Sequence, residues 1–464
     1  MRIFSLIGGV GALVFVPAGV ASGATDASRA RPFVARAQLR TPTLFRRASL
    51  PARGRFTTPT CATSIGFVGV PGEGDVAGGA QSAVLAGTSN DACDAVSGIG
   101  VGQDNGVGAE GTATSSFIAG GVSNGITGKN AFIGAGAANS VGGFYASIGA
   151  GYGNSADDDD DFIGAGSGNV ASGPESFVGS GISNNAAGGG AFIGAGGTVS
   201  DVSPGNQIMA SDSFIGAGDQ NTIGANEAFV GSGIANTVGS AATYAAIVGG
   251  GKNTVSGEYA GVLDGYGNSA IAPYSIVIGG NGSTAAGELS LAAGYHADAT
   301  HSGSFVWSDF SSGSETMKDT AVNQFVARAS GGVYLYSNEA ATSGVKLSPG
   351  SGTWARLSDR NAKTDIARLD DASILAKVAS LPVNAWRYKA ESGVRHLGPM
   401  AQDFYAAFGV GEDDRHITAI DEDGVALAAI KALHSENAEL REDVDALRGE
   451  LHRLESAVAS SRKR

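Results

Sequence analysis

Two residues near the start of the C-terminal quarter have the types and spacing to do chemistry. Ser358 and Lys363 close the segment Ser358-Asp359-Arg360-Asn361-Ala362-Lys363. A serine hydroxyl is a poor nucleophile until a neighbouring group takes its proton. A lysine amine can take it only where burial lowers its pKa enough to populate the neutral form. Taken alone, the same segment describes equally well a serine that caps a helix beside a solvated lysine. The choice depends on what the surrounding elements are.

Two further motifs follow. Leu381-Pro382-Val383-Asn384-Ala385-Trp386-Arg387-Tyr388 comes first, then His396-Leu397-Gly398-Pro399-Met400-Ala401-Gln402-Asp403. In this order the three segments, over about 354–433, resemble the intramolecular chaperone domain of phage endosialidases, tailspikes and tail fibres, a self-cleaving serine peptidase family. The resemblance implies that Ser358 is the nucleophile, that Lys363 is its base and that the bond cut lies between Leu357 and Ser358. It also implies a homotrimer. His396 and Gln402 fall in the third motif, where the histidine is expected to pack rather than to catalyse.

The chain ends in a heptad pattern. Ile430, Asn437, Val444, Leu451 and Val458 occupy one core position, and Leu433, Leu440, Leu447 and Leu454 the other. So narrow an apolar stripe is the seam of a coiled coil, and an asparagine within it fixes register and oligomer state. Glu436 can meet Arg441 of a neighbouring helix, and Asp443 can meet Arg448.

Upstream, the chain is a repeat. A pattern of two apolar residues, Gly-x-Gly, a later Asn and then Val or Ile recurs at a constant spacing, with starts at Phe117, Phe132, Ser147, Phe162, Phe177 and Phe192. A longer unit with Pro204 and Met209 follows. The phase resumes at Phe214 and Phe229, and after a slip at Ala246, Gly261, Ile276 and Leu291. The recurring asparagines are Asn124, Asn139, Asn154, Asn169, Asn184, Asn221, Asn236, Asn253 and Asn268, with weaker units around Phe67 and Ala83. Such a 15-residue unit suits one coil of a parallel β-solenoid. Gly and Asn tolerate left-handed backbone at tight corners, and the apolar pairs can stack as strands at ~4.8 Å.

Adjacent strand residues point to opposite faces. One member of each pair therefore fills the interior and the other forms an outward apolar line that a monomer would not leave bare. Phe162 and Phe177 are expected in the dry interior. This region, about 62–305, resembles the left-handed β-roll heads of trimeric autotransporter adhesins, but their membrane-embedded barrel anchor is not expected here.

Composition limits the alternatives. The chain has 464 residues, 74 glycines, 16% charged residues and a net charge of −14. There is no Gly-X-Y period, which excludes collagen. Between Phe56 and Gln324 there is no arginine and only Lys129, Lys252 and Lys318 are basic, so no nucleic-acid binding is expected of the repeat. Residues 29–55 carry eight arginines and no acid, which suits either a solvated linker or contact with an anionic surface. Arg2 followed by apolar Ile3 to Val16 and small Ala21, Ser22, Gly23 and Ala24 reads as a signal peptide, too short to span a bilayer. No transmembrane helix is expected elsewhere.

The remaining chemistry-bearing residues are few. Cys61 and Cys93 are the only cysteines, and their pairing is open in the sequence. The run Asp157 to Asp161 offers clustered oxygens but not the spaced pattern of a calcium loop, and a hydrated turn explains it equally. His296 and His301 have no Cys or Glu beside them. No metal and no cofactor is expected.

The sequence therefore divides into a signal peptide (1–24), an Arg-rich linker (25–61), a glycine-rich β-roll (62–305), a β-neck (306–353), an α/β chaperone and autopeptidase (354–429) and a coiled coil (430–461). The whole reads as an exported, extracellular or surface-held trimeric fibre, with a cell-surface or glycan receptor as the candidate partner. An uncleaved tethered fibre and a glycan-degrading enzyme are the alternatives. The latter needs paired carboxylates near sugar-binding residues, and the repeat has no arginine and no tryptophan before Trp307.

Overall fold

The computed structural model describes residues 66–70, 73–108, 111–197, 204–313 and 315–461. The expected signal peptide and linker, with Cys61, lie outside the described residues. Two compact units divide the chain, one ending at Arg328 and the other beginning at Ala329.

The first unit is a parallel β-solenoid. Each coil contributes one short strand to a 17-stranded sheet and one to a 16-stranded sheet. The register follows the repeat: Ser147 pairs with Phe132 on one side and Phe162 on the other. On the second sheet Ser155 pairs with Ser140 and Val170. The long unit leaves the register intact, because Phe192 pairs with Phe214 and Asn185 with Gln207. The later slip is absorbed as well, with Phe229 opposite Ala246. A third column of single bridges, such as Ala137 to Tyr152 to Ser167, closes the coil. Parallel rungs continue past residue 305 to Phe325–Arg328.

The interior is a double column of aliphatic side chains. Ile133, Ile148, Ile163, Val178, Ile193 and Ile215 from one sheet, and Val141, Ala156, Ala171, Ala186 and Ile208 from the other, are fully buried. Burying each isoleucine or valine is worth about 1.5–3 kcal/mol. This corrects the expectation for the aromatic residues. Phe162 is 38% exposed and Phe177 partly exposed, while Ile163 and Val178 behind them are at 0%. The phenyl ring is too large for the narrow interior that such short coils leave between two sheets, so the β-branched partner turns inward.

The phenylalanines stack instead along the outside. Phe162 to Phe177 to Phe192 to Phe214 to Phe229 run with ring centroids 5.2, 4.6, 4.9 and 5.4 Å apart. The matching outer positions of the second sheet are mostly polar, with Ser140, Ser155, Asn185, Gln207, Thr222, Thr237 and Thr254 interrupted by Val170.

An asparagine ladder holds one corner. From Asn105 to Asn236 the amide Nδ2 donates to the Oδ1 of the asparagine one coil before, as from Asn154 to Asn139 at 3.0 Å, and to a glycine carbonyl of the next coil, Gly166, at 3.0 Å, while at Asn253 and Asn268 the backbone N–H alone reaches the preceding Oδ1. The glycines are required there: Gly136 has φ of +112°, and a Cβ on it would lie 2.0 Å from the Gly151 carbonyl oxygen and 2.7 Å from Asn139 Nδ2. The ladder also includes Asn90, Asn105 and Asn206, beyond the nine found by spacing, all at 0% exposure.

In the second unit, Val333–Tyr336, Gly344–Leu347 and Trp354–Arg356 form an antiparallel sheet. Helix α1 (Asp371–Ser380), an antiparallel strand pair Asn384–Trp386 with His396–Gly398, helix α2 (Ala401–Phe408) and helix α3 (Ala419–Ser461) follow. Ala428, Ala429 and Ala432 of α3 are buried, and Lys431 pairs with Asp371 at the start of α1. Among the described residues no helix is long and apolar enough to cross a membrane.

Candidate functional site

The chain enters the site on the strand Trp354–Arg356, which Arg356 ties to α3 through an ion pair with Asp423 at 2.9 Å. The next residues form a turn of a particular shape. Arg360–Ala362 is a single 3-10 turn with Asp359 at its N-cap. The Asp359 carboxylate accepts from the Asn361 backbone N–H at 3.0 Å and from the Asn361 side-chain amide at 3.1 Å. Lys363 at the C-cap returns to extended backbone, its N–H donating to the Arg360 carbonyl. This turn folds the segment back so that the Lys363 Nζ lies 2.8 Å from the Ser358 Oγ.

Spacing therefore brings the two expected residues within hydrogen-bonding distance. It does so through Asp359 and Asn361, to which the motif alone assigns no role. An acidic residue directly before a one-turn helix is the N-cap signal that could have found Asp359. Ser358 and Lys363 are both exposed in the single chain, as is Leu357, at 46%. The lysine is the donor in this arrangement; to accept the serine proton its nitrogen must first be neutral.

Residues 358–410 match the chaperone-of-endosialidase family. This is a peptidase family by name, and the matched residues begin at Ser358 itself. No curated protein matches the chain. The family match and the solenoid upstream agree with the architecture expected from the sequence.

Within the matched segment the third motif plays a packing role. His396 stacks on Trp386 with centroids 4.7 Å apart and its Nε2 bonds Glu391 at 2.9 Å. Gln402 lies exposed in the first turn of α2. Phe404 is the buried anchor of that helix.

The other candidate groups lie in the solenoid. The acidic run is a corner: Asp159 and Asp160 are exposed, and Asp161 is 1% exposed, its carboxylate accepting from the Ser176 Oγ at 2.7 Å and N–H at 3.0 Å. Burial pushes the Asp161 carboxyl up despite these bonds. Among the described residues no group of three or more His, Cys, Asp or Glu is placed to hold a metal ion.

His301 has a partner on the following coil that its local sequence does not reveal. Its Nδ1 lies 3.1 Å from Asp319, whose carboxylate also accepts from the Thr300 Oγ at 2.6 Å and the His301 N–H at 2.8 Å. Burial opposes ionisation of Asp319, but those hydrogen bonds outweigh it and hold the carboxyl well below the usual range. Near the other end of the solenoid, Cys93 is in a disulfide. Burial, and then the charge of neighbouring Asp75, raises Asp91 to about 6.

Proposed function

We propose that this protein is an exported homotrimeric fibre whose C-terminal segment acts as an intramolecular chaperone and then cuts itself free between Leu357 and Ser358. The observation that carries the reading is the 2.8 Å approach of Lys363 Nζ to Ser358 Oγ at the first residue of the family match. In the reaction, neutral Lys363 takes the proton of Ser358 Oγ as that oxygen adds to the carbonyl carbon of Leu357. The tetrahedral adduct collapses with loss of the Ser358 amide nitrogen, which leaves with the proton held by Lys363. Water then hydrolyses the resulting ester. The products are a Leu357 carboxylate and a fragment beginning with a free Ser358 amine and hydroxyl.

Assembly supplies what the single chain lacks. An exposed lysine is a poor base, and burial is what populates the neutral amine. Two apolar features favour a partner of the same kind: the phenylalanine column on one outer face of the solenoid, and the α3 stripe, where Leu440, Leu447, Leu451 and Leu454 are 57–64% exposed. A coiled coil of α3 would bury that stripe. A register-sensitive parallel solenoid, rich in long-range contacts, also gains from a clamp that starts assembly at one end.

Intact mass together with light scattering of the exported protein tests the reading. A body three times the mass of a chain that has lost everything from Ser358 onward supports it. A full-length monomer contradicts it.

A further inference from the structure

One corner of the solenoid carries an unbalanced charge. It follows the second strand of each coil, and its backbone N–H groups donate from coil to coil, as from Glu175 to the Asp159 carbonyl and from Tyr259 to that of Thr243. Along it stand Asp157 to Asp160, then Glu175, Asp212, Glu227, Glu258 and Glu288, all exposed except the half-buried Asp158. Tyr244, Tyr259 and Tyr274 are interleaved with the last of these. They stack with centroids 4.8 and 5.1 Å apart and stay 44–49% exposed. Each has a positive φ, 61°, 55° and 57°, which bulky side chains rarely adopt, so the ladder is kept at a cost in backbone strain. The lysine of this corner, Lys129, lies over the Phe144 ring at 6.0 Å. The ion pairs of the described solenoid, His301 with Asp319 and Lys318 with Asp298, use none of the ridge carboxylates. Like charges aligned in this way repel, and a cationic partner relieves them.

The same corner holds the disulfide-bonded Cys93. Cys93, Gly108, Thr127, Gly142 and Asp157 occupy one column on successive coils. At ~4.8 Å per coil, Cys93 is ~19 Å from the acidic run, and the ridge from Cys93 to Glu288 is ~60 Å long. Cys61 is the only other cysteine of the chain. Six residues before it, Arg55 begins a run of eight arginines that reaches back to Arg29 with no acid among them. Six extended residues reach ~20 Å, and the chain back to Arg29 reaches on the order of 100 Å. The leader therefore has the length to start at the acidic run and continue along the whole ridge. It also mixes its arginines with Phe33, Leu44, Phe45 and Leu50, as the ridge mixes carboxylates with tyrosines.

We propose that Cys93 pairs with Cys61 of the same chain, and that this bond seats residues 29–55 as a strap along the acidic ridge. The bond forms by exchange with a disulfide oxidant: the two thiols give up two electrons and two protons, and the oxidant's disulfide becomes two thiols. Guanidinium groups of the strap meet the ridge carboxylates, for which their planar fork is suited. Its phenylalanines and leucines cover the exposed tyrosines. Each exposed ion pair is worth only about 0.2–1 kcal/mol. The covalent anchor makes the docking intramolecular, at an effective concentration on the order of millimolar, so several weak pairs suffice. The strap needs neither Ser358 nor α3, so it stands or falls independently of self-cleavage.

Limited trypsin digestion of the full chain tests the strap, with the cuts between Arg29 and Arg55 timed by mass spectrometry. The comparison is a variant carrying Asp157→Asn, Asp159→Asn, Asp160→Asn and Glu175→Gln. At low salt the parent should be cut there roughly fivefold more slowly, or slower still, than the variant. The four side chains are exposed, so the variant should fold, and an unchanged circular dichroism spectrum verifies this. Salt at ~1 M should remove the protection from the parent as well. Peptide mapping without reductant should find Cys61 joined to Cys93, and Cys61→Ser should expose the leader to trypsin. The proposal is overturned if parent and variant are cut at the same rate, if the protection survives high salt, or if Cys93 is joined to a second chain.

Discussion

Asn169 and Asn154 stand one coil apart in a buried corner, the Nδ2 of Asn169 donating to the Oδ1 of Asn154 across 3.1 Å. The same Nδ2 donates to the Gly181 carbonyl at 2.9 Å, and the Oδ1 of Asn169 accepts from the N–H and Nδ2 of Asn184. Each asparagine thus joins three successive coils. Asn169→Ala would strip partners from groups on both neighbours, each costing about 1–3 kcal/mol when left buried and unpaired. A loss of roughly 3 kcal/mol or more is expected. Denaturant unfolding of the body checks it, and a loss below about 1 kcal/mol would mean that the ladder contributes little.

Ile163 and Phe162 are adjacent and face opposite ways, so the same substitution should have two different effects. Ile163→Asp puts a carboxylate in a dry interior and should prevent folding. Phe162→Asp puts it on the outer face, where the coil should still form. The variant should keep its β-sheet circular dichroism but lose association of the body in light scattering. If Phe162→Asp leaves the oligomer intact, the phenylalanine column is not the seam between copies.

Asp91 gives the solenoid a pH dependence of defined sign. Its folded pKa of about 6 lies above the ordinary carboxylate value, so the folded chain holds this proton more tightly than the unfolded one. The group's contribution is most favourable below about pH 4. It is lost as pH rises through the folded value near 6. Asp91→Asn should raise the Tm at pH 7 and flatten its profile between pH 4 and 6; an unchanged profile would show that Asp91 is ionised at no cost.

The repeat period and the two-faced strand pairs were legible because stacking repeats the same environment at the same position, as at Phe132, Phe162 and Phe177. Which member of a pair turned inward was not legible. Alternation gives two faces but does not name the inner one, and the decision rests on how little space lies between the sheets. Asn206 escaped because the long unit sets it further than one period from Asn184, although the ladder bonds are the same. The closeness of Ser358 and Lys363 is not set by their spacing alone, because the turn that joins them depends on the Asp359 cap. The His301–Asp319 pair was hidden because its residues come from successive coils.

The heptad stripe of α3 carries the fourth prediction. Leu440→Pro breaks the helix interior at a cost of about 3 kcal/mol or more and interrupts the stripe. The variant should assemble poorly and remain full-length, although Ser358 and Lys363 are untouched. Cleavage at the parental rate in a monomeric variant would separate the chemistry from assembly.

The most direct test of self-cleavage is denaturing electrophoresis with N-terminal sequencing of the small fragment. The parent should yield a fragment of residues 358–464 that begins Ser-Asp-Arg-Asn. Ser358→Ala removes the nucleophile and Lys363→Ala the base, so each should leave the chain joined while it still assembles. Lys363→Arg should also fail, because a guanidinium stays protonated. If Ser358→Ala is cut at the same bond as the parent, an outside protease makes the cut and self-cleavage by this pair is contradicted.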